Sequence, residues 1–330
     1  MSLPFRKIFS LTILILTACS NITGPQPDGG TTTPLTKIRL PMGYIPNVQY
    51  APFYVADGLG IFKDAGLEVE FDYSPETDGV ALVGANELQF ALVSGEQVLL
   101  AREQEIPVVY VLGWWQDYPV AVSAKKELQI NEPADLKGLN IGIPGLYGAS
   151  YIGLRALLSA ANLEEADISL ESIGFNQVEA LVSDQVEAVV IYANNEPIQL
   201  EKLGYEVDTI RVADYLSLAS NGLITNEETL RENPELVRKM VQSVLKAVEL
   251  SINDPDGAYS ISMDYVEGLD QADRQVQMKI LESTIEFWEA EKLGYSDPQA
   301  WRNMQEVLIN MGLLSGELDL EQAFTNQFLE

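Results

Sequence analysis

Histidine is absent from the 330-residue chain. That excludes Ser-His-Asp and Cys-His triads, His-ligated zinc and imidazole general bases. Catalysis by carboxylates, lysine or tyrosine stays open. Cysteine occurs once, at Cys19, so no intrachain disulfide can form and no second thiol can act as nucleophile or metal ligand. Basic residues are scarce: 20 Lys and Arg stand against 49 Asp and Glu, a formal net charge of −29. So acidic a chain lacks the basic face that nucleic acid needs and the basic cluster that would hold it on anionic lipid. No apolar run reaches the roughly 18 residues of a membrane-spanning helix. What is present is 47% hydrophobic and 21% charged, the balance of a folded globular protein. At roughly 100–200 residues per domain, the length suits two domains.

The N-terminus accounts for the lone cysteine. Arg6 and Lys7 precede an apolar run from Ile8 to Leu16, interrupted by Ser10 and Thr12. At about 1.5 Å per residue this run cannot cross about 30 Å of hydrocarbon as a helix. It reads as the h-region of a secretory signal. Leu16-Thr17-Ala18-Cys19 resembles a bacterial lipobox, in which cleavage just before the Cys leaves a sulfur that carries diacylglycerol. The expectation is a lipoprotein signal peptide over residues 1–18, a lipid anchor at Cys19, and a place on the extracytoplasmic face of the cell membrane. Residues 19–36 are rich in Pro, Gly, Thr and Ser without apolar period and read as a flexible tether.

From residue 37 short strand-like runs alternate with helical patterns, which predicts α/β architecture with parallel sheets. Strands are expected at 37–42, 67–71, 90–93, 107–112, 120–124, 139–143, 168–173 and 188–192, with two more within 207–225. Helices are expected at 51–62, 79–85, 97–103, 151–161, 176–183 and 197–203. The stretch 235–253 has apolar residues at a 3.6-residue period, started by Asn233-Pro234 and stopped by Asp254-Pro255. The pattern restarts near residue 122 and returns near 218. Two lobes follow, 37–121 with 219–330 and 122–218, joined by two hinge crossings and holding a ligand between them.

In such sheets ligands meet the loops at the carboxyl ends of strands. Those loops carry Asn47, Ser94, Glu96, Trp114, Trp115, Tyr118, Tyr147, Tyr192, Asn195 and Glu196, with Tyr50 nearby. Aromatic faces stack on flat rings, and amides and acids hydrogen-bond to ring edges or hydroxyls. Trp114 and Trp115 are adjacent, so in an extended segment one faces the cleft and the other the core. A conjugated ring is expected between one of them and Tyr147 or Tyr192. The glycines of Gly142-Ile-Pro-Gly-Leu-Tyr-Gly148 do not have phosphate-loop spacing. A secreted enzyme would need two cleft acids about 5–10 Å apart, and Glu96, Asp117 and Glu196 are the acids on offer.

The segment from Gly43 to Phe71, GYIPNVQYAPFYVADGLGIFKDAGLEVEF, resembles the opening of substrate-binding proteins for thiamine-pyrimidine precursors, and DLKGLNIGIPG and VEAVVIYANNEP are similar to the same family. The resemblance covers about residues 37–250. It implies a two-lobed, type II-like periplasmic-binding-protein fold, an ABC permease and ATPase as partners, and no enzymatic activity, metal or cofactor. It places Asn47, Ser94, Glu96, Tyr147, Tyr192 and Glu196 on cleft-facing loops. Pyrimidine-binding members often carry His where Tyr50 stands, and the related eukaryotic synthases use His and a cysteine-rich motif that this chain lacks. The tryptophan pair and the tyrosines suit the larger isoalloxazine of the family's riboflavin-binding branch. A thiamine pyrimidine of the formylaminopyrimidine type is the alternative.

Overall fold

The computed structural model describes residues 34–330. The expected signal peptide, Cys19 and the tether up to residue 33 lie outside the described residues. Ten strands alternate with helices: β1 (Thr36–Gly43), β2 (Leu67–Pro75), β3 (Ala91–Val93), β4 (Val108–Gly113), β5 (Val120–Lys125), β6 (Asn140–Ile143), β7 (Ser169–Ser172), β8 (Ala188–Tyr192), β9 (Val207–Arg211) and β10 (Gly222–Asn226). In the first lobe β1 pairs with β2 in parallel and packs beside β3, which belongs to a sheet of order β3-β10-β4. The second lobe is a five-stranded sheet of order β7-β6-β8-β5-β9.

The expected parallel sheets hold for β1 and β2 alone: the three-stranded sheet pairs antiparallel throughout and the five-stranded sheet is mixed. β5 runs antiparallel to β8 and β9, and β10 antiparallel to β3 and β4. The physical reason is the crossings. Parallel neighbours require a helical crossover that returns the chain to the sheet's starting edge. A chain arriving from the other lobe enters at the carboxyl ends of the strands and must run away from them. β5 and β10 are the strands that follow the two crossings, residues 114–119 and 212–221.

Local boundaries follow capping and turn chemistry. The helix expected over 51–62 breaks after Gly58 and resumes as a single turn, Ile61–Asp64. The long helix Pro234–Asn253 starts where the Asn233 side chain accepts from Leu236 N and Pro234 needs no donor. It buries Leu236, Val237, Met240, Val241, Val244 and Val248 and packs against the helix Ala51–Gly58. Asp254 ends it and caps the next helix, accepting from Gly257 N at 3.0 Å.

One core gathers Phe53, Trp114, Trp115, Met240 and Trp288 beneath the first lobe. A second runs from Val98 and Leu99 through Tyr118 and Val120 into Leu154 and Leu157 of the other lobe. The lobes therefore share apolar packing at their crossings, next to the point where Gly222 opens β10. A Cβ there would lie 2.1 Å from the Tyr110 hydroxyl and 2.2 Å from the Leu112 carbonyl oxygen. Because one obstacle is backbone of the paired strand, Gly222→Ala is expected to destabilise the protein by about 1–3 kcal/mol or more. Urea unfolding checks this, and an unchanged midpoint would refute it.

Candidate ligand-binding cleft

The carboxyl ends of β1, β2, β4, β6, β7 and β8 converge on a cavity of about 300 Å³, a volume at the lower end for small-molecule sites. The first lobe supplies Tyr44, Ile45, Asn47, Gln49, Tyr50, Tyr73, Glu76, Gln97, Trp114, Trp115 and Asn221. The second supplies Tyr147–Ser150, Phe175, Gln177, Tyr192, Asn195 and Glu196. Gly43 turns with φ +81°, and a Cβ on it would meet Glu76 Cγ at 2.7 Å. Only glycine lets the β1 exit approach Glu76 so closely.

Eight of the eleven residues expected at the ligand lie on this cavity: Asn47, Tyr50, Trp114, Trp115, Tyr147, Tyr192, Asn195 and Glu196. Asn47 Oδ1 accepts from Gln49 N at 2.8 Å and so caps the turn after β1. Tyr50 donates to Met42 O at 2.8 Å and stacks on Trp114 with ring centres 5.2 Å apart. Trp114 stacks on Trp288 as well, at 6.4 Å. Trp115 packs against Tyr192 at 5.8 Å and Phe287 at 5.4 Å. The expected split of the tryptophans, one outward and one inward, does not occur. Both backbone amides donate to the Asn221 carbonyl, at 3.1 and 2.9 Å, so the segment turns and the alternation of an extended chain is lost. Both indoles are buried and both border the cavity. The freer aromatic faces are elsewhere: Tyr147 is 69% and Phe175 56% exposed, and Phe175 meets Tyr44 of the other lobe edge-on at 4.9 Å.

Ser94, Glu96 and Tyr118 do not line the cavity. Tyr118 is buried in the core at the first crossing and donates to Ala149 O at 2.9 Å. Ser94 and Glu96 are fully buried, since the helix Gly95–Glu103 starts against the backbone of Ala219. Ser94 Oγ bonds to Glu76 Oε2 at 2.7 Å and to Glu96 Oε1, so Glu76 is the acid that reaches the cleft from this side. Nor do the three acids offered for a catalytic pair come together. Glu96 is sealed in, Asp117 is exposed near Arg211 at 3.8 Å, and of the three Glu196 alone borders the cavity.

Four of the residues that sequence reasoning missed share one cause. β2 continues to Pro75, four residues beyond its expected end, and so delivers Tyr73 and Glu76 to the cleft. The loop after β7 delivers Phe175 and Gln177. Applying the carboxyl-end rule to every strand would have pointed to both loops. Gln49 and Asn221 carried no such signal.

Burial sets the electrostatics. Glu96 is pushed up to about 8, by loss of water and then by the nearby Glu76. Glu76 is raised by burial against the opposing pull of the Ser94 hydrogen bonds. The Ser94 hydroxyl has a single proton to share between the two acids. The hydroxyl therefore donates to one acid and accepts from the other when that acid is protonated. Across the cleft Glu196 is raised to about 7 by burial, although Tyr192 N donates to its Oε2 at 3.0 Å. No Lys or Arg is among the lining residues. The surface is aromatic and amide-rich, with two carboxyl groups, and it can hold a flat, uncharged polar molecule.

Residues 47–258 match the family described as NMT1/THI5 like. The chain belongs to that family. Within it, the chain is 38% identical to the riboflavin-binding protein RibY of Chloroflexus aurantiacus, over 100% of this chain and 98% of that one. It is 27% identical to the formylaminopyrimidine-binding protein of Halalkalibacterium halodurans, over 97% and 98% of the two chains. The NMT1/THI5-like chain has the two-lobed fold of periplasmic binding proteins. The aliphatic sulphonate binding protein SsuA of Escherichia coli superposes with a TM-score of 0.71 at 12% identity, covering 88% of this chain and 92% of that one.

Proposed function

We propose that this protein is the substrate-binding component of an ABC importer and that its ligand is riboflavin. We further propose that a lipid on Cys19 anchors it to the extracytoplasmic face of the cell membrane, where it passes the vitamin to a permease driven by an ATPase subunit. The observation that carries the ligand reading is full-length identity of 38% to a riboflavin-binding protein. The cleft supports it. Its aromatic and amide lining suits a large conjugated ring with a neutral polyhydroxyl tail. Glu76 and Glu196 without a lining cation disfavour a phosphate.

The test is a parallel titration of the purified protein beginning after Cys19. Riboflavin is expected to bind with quenching of flavin and tryptophan fluorescence, because Trp114 and Trp115 border the cavity. Flavin mononucleotide is expected to bind at least about tenfold more weakly, since like charges some 4 Å apart in a partly desolvated site repel by on the order of 1–4 kcal/mol. Equal binding of the mononucleotide would refute the charge reasoning. Tight binding of an aminopyrimidine with no response to riboflavin would transfer the assignment to the formylaminopyrimidine type. For the anchor, Cys19→Ser is expected to abolish diacylglycerol attachment, and a mature N-terminus at any other residue would sink that part.

A further inference from the structure

The polarity of one cleft wall is set by residues outside the cleft. Thr284 Oγ1 lies 2.6 Å from Ile280 O. A carbonyl only accepts, so the threonine proton points there. The Thr284 oxygen is then left as an acceptor, and Asn194 turns its Nδ2 toward it at 2.7 Å. The same Nδ2 donates its other hydrogen to Gln49 Oε1 at 3.1 Å. Gln49 borders the cavity, whereas Asn194 and Thr284 are fully buried and do not. With its oxygen committed, Gln49 offers the cleft its Nε2 amine. Asn47 is oriented alike, because its Oδ1 is held by Gln49 N and its Nδ2 remains. The indole N–H groups of Trp114 and Trp115, on the same lobe, are buried and find no acceptor among the described residues. On this wall Gln49 and Asn47 keep amide N–H groups free, beside the Glu76 carboxylate.

We propose that the chain Thr284–Asn194–Gln49 makes the cleft select a ring edge bearing carbonyl acceptors, such as a 2,4-dioxopyrimidine edge, over one bearing an exocyclic amine. Gln49 reads the edge. Asn194 and Thr284 are positioning residues that act through it. The inference rests on the riboflavin reading and deepens it, since the isoalloxazine carries two carbonyls where the thiamine pyrimidine carries an amine.

Polarity can be reversed from outside the cavity lining or on it. In Asn194→Asp the introduced carboxylate only accepts, so Gln49 must rotate its amine toward it and turn its oxygen to the cleft. In Gln49→Glu the acceptor is placed at the cleft directly, which covers the case in which the first variant does not fold. Wild type and both variants are titrated with riboflavin and with 4-amino-5-hydroxymethyl-2-methylpyrimidine. Riboflavin affinity is expected to fall about tenfold to a hundredfold, the effect of leaving buried polar groups mismatched. The pyrimidine should lose less, so the ratio of the two affinities shifts by about tenfold or more. A purely structural role would weaken both ligands equally and leave the ratio unchanged, which overturns the inference while the riboflavin reading stands. A wild-type protein that prefers the aminopyrimidine, or binds neither compound, overturns both.

Discussion

Trp288→Ala is expected to destabilise the protein by about 3–5 kcal/mol and to weaken ligand binding in the fraction that folds. Trp288 is fully buried. Its ring stacks 6.4 Å from Trp114, which in turn stacks on Tyr50, and both of these border the cavity. Removing the indole leaves a hole behind the cleft wall, and the surrounding core closes such holes only in part. Trp114 then loses the neighbour that holds its orientation. Trp301→Ala is the control. Trp301 is equally buried but packs on Tyr110 and Phe324 at 5.1 Å each, in the other core and away from the cavity. It should lose comparable stability and keep its affinity. Denaturant unfolding gives the first quantity, and titration below the unfolding range gives the second. Equal loss of affinity in both variants would show that Trp288 has no special bearing on the cleft.

The ligand-free protein is expected to lose stability as pH rises from about 5 to about 8, by on the order of a few kcal/mol, and Glu96→Gln is expected to remove most of that loss. Glu96 is held up to about 8 against an ordinary value of 4.5, first by burial and then by Glu76. Its folded-state pKa lies above its unfolded one, so the stability it confers is fully present below about 4.5 and is lost as pH climbs through 8. Glu196, held at about 7, has the same sign. The partly buried Asp72 beside Arg39 and the exposed Asp273 beside Lys202, both with lowered values, act in the opposite direction and at lower pH. The two effects therefore separate along the pH axis. Glutamine cannot ionise, and its amide can donate to Ser94 as the protonated acid does. The melting temperatures of wild type and variant should agree near pH 5 and diverge at pH 8 in favour of the variant. Parallel profiles would mean that Glu96 does not titrate in this range.

The strand-to-helix alternation, the two-lobe plan and the convergence of certain loops on a cleft were all legible in the sequence. Each depends on local periodicity, capping and turn residues, which act within a few positions along the chain. Pro107 to Leu112 reads as a buried strand, and the buried strand Val108–Gly113 forms there. Pro144–Ser150 and Tyr192–Glu196 follow strands and reach the cavity. The missing histidine likewise removes whole classes of chemistry whatever the fold.

What only tertiary structure decided concerns direction and orientation. The sense of β5 and β10 depends on which side of a sheet the chain enters after a crossing, and no residue within either strand records that. The inward turn of Ser94 and Glu96 depends on Ala219 closing over the start of their helix. The two tryptophans share a side because Asn221, more than a hundred positions later, accepts from both amides. The same holds for Gln49. An isolated glutamine presents donor and acceptor alike, and it becomes a donor here through Asn194, 145 positions away, itself turned by Thr284 a further 90 positions on. Hydrogen-bond polarity passes from atom to atom through space, so it is set only once the distant partners have met.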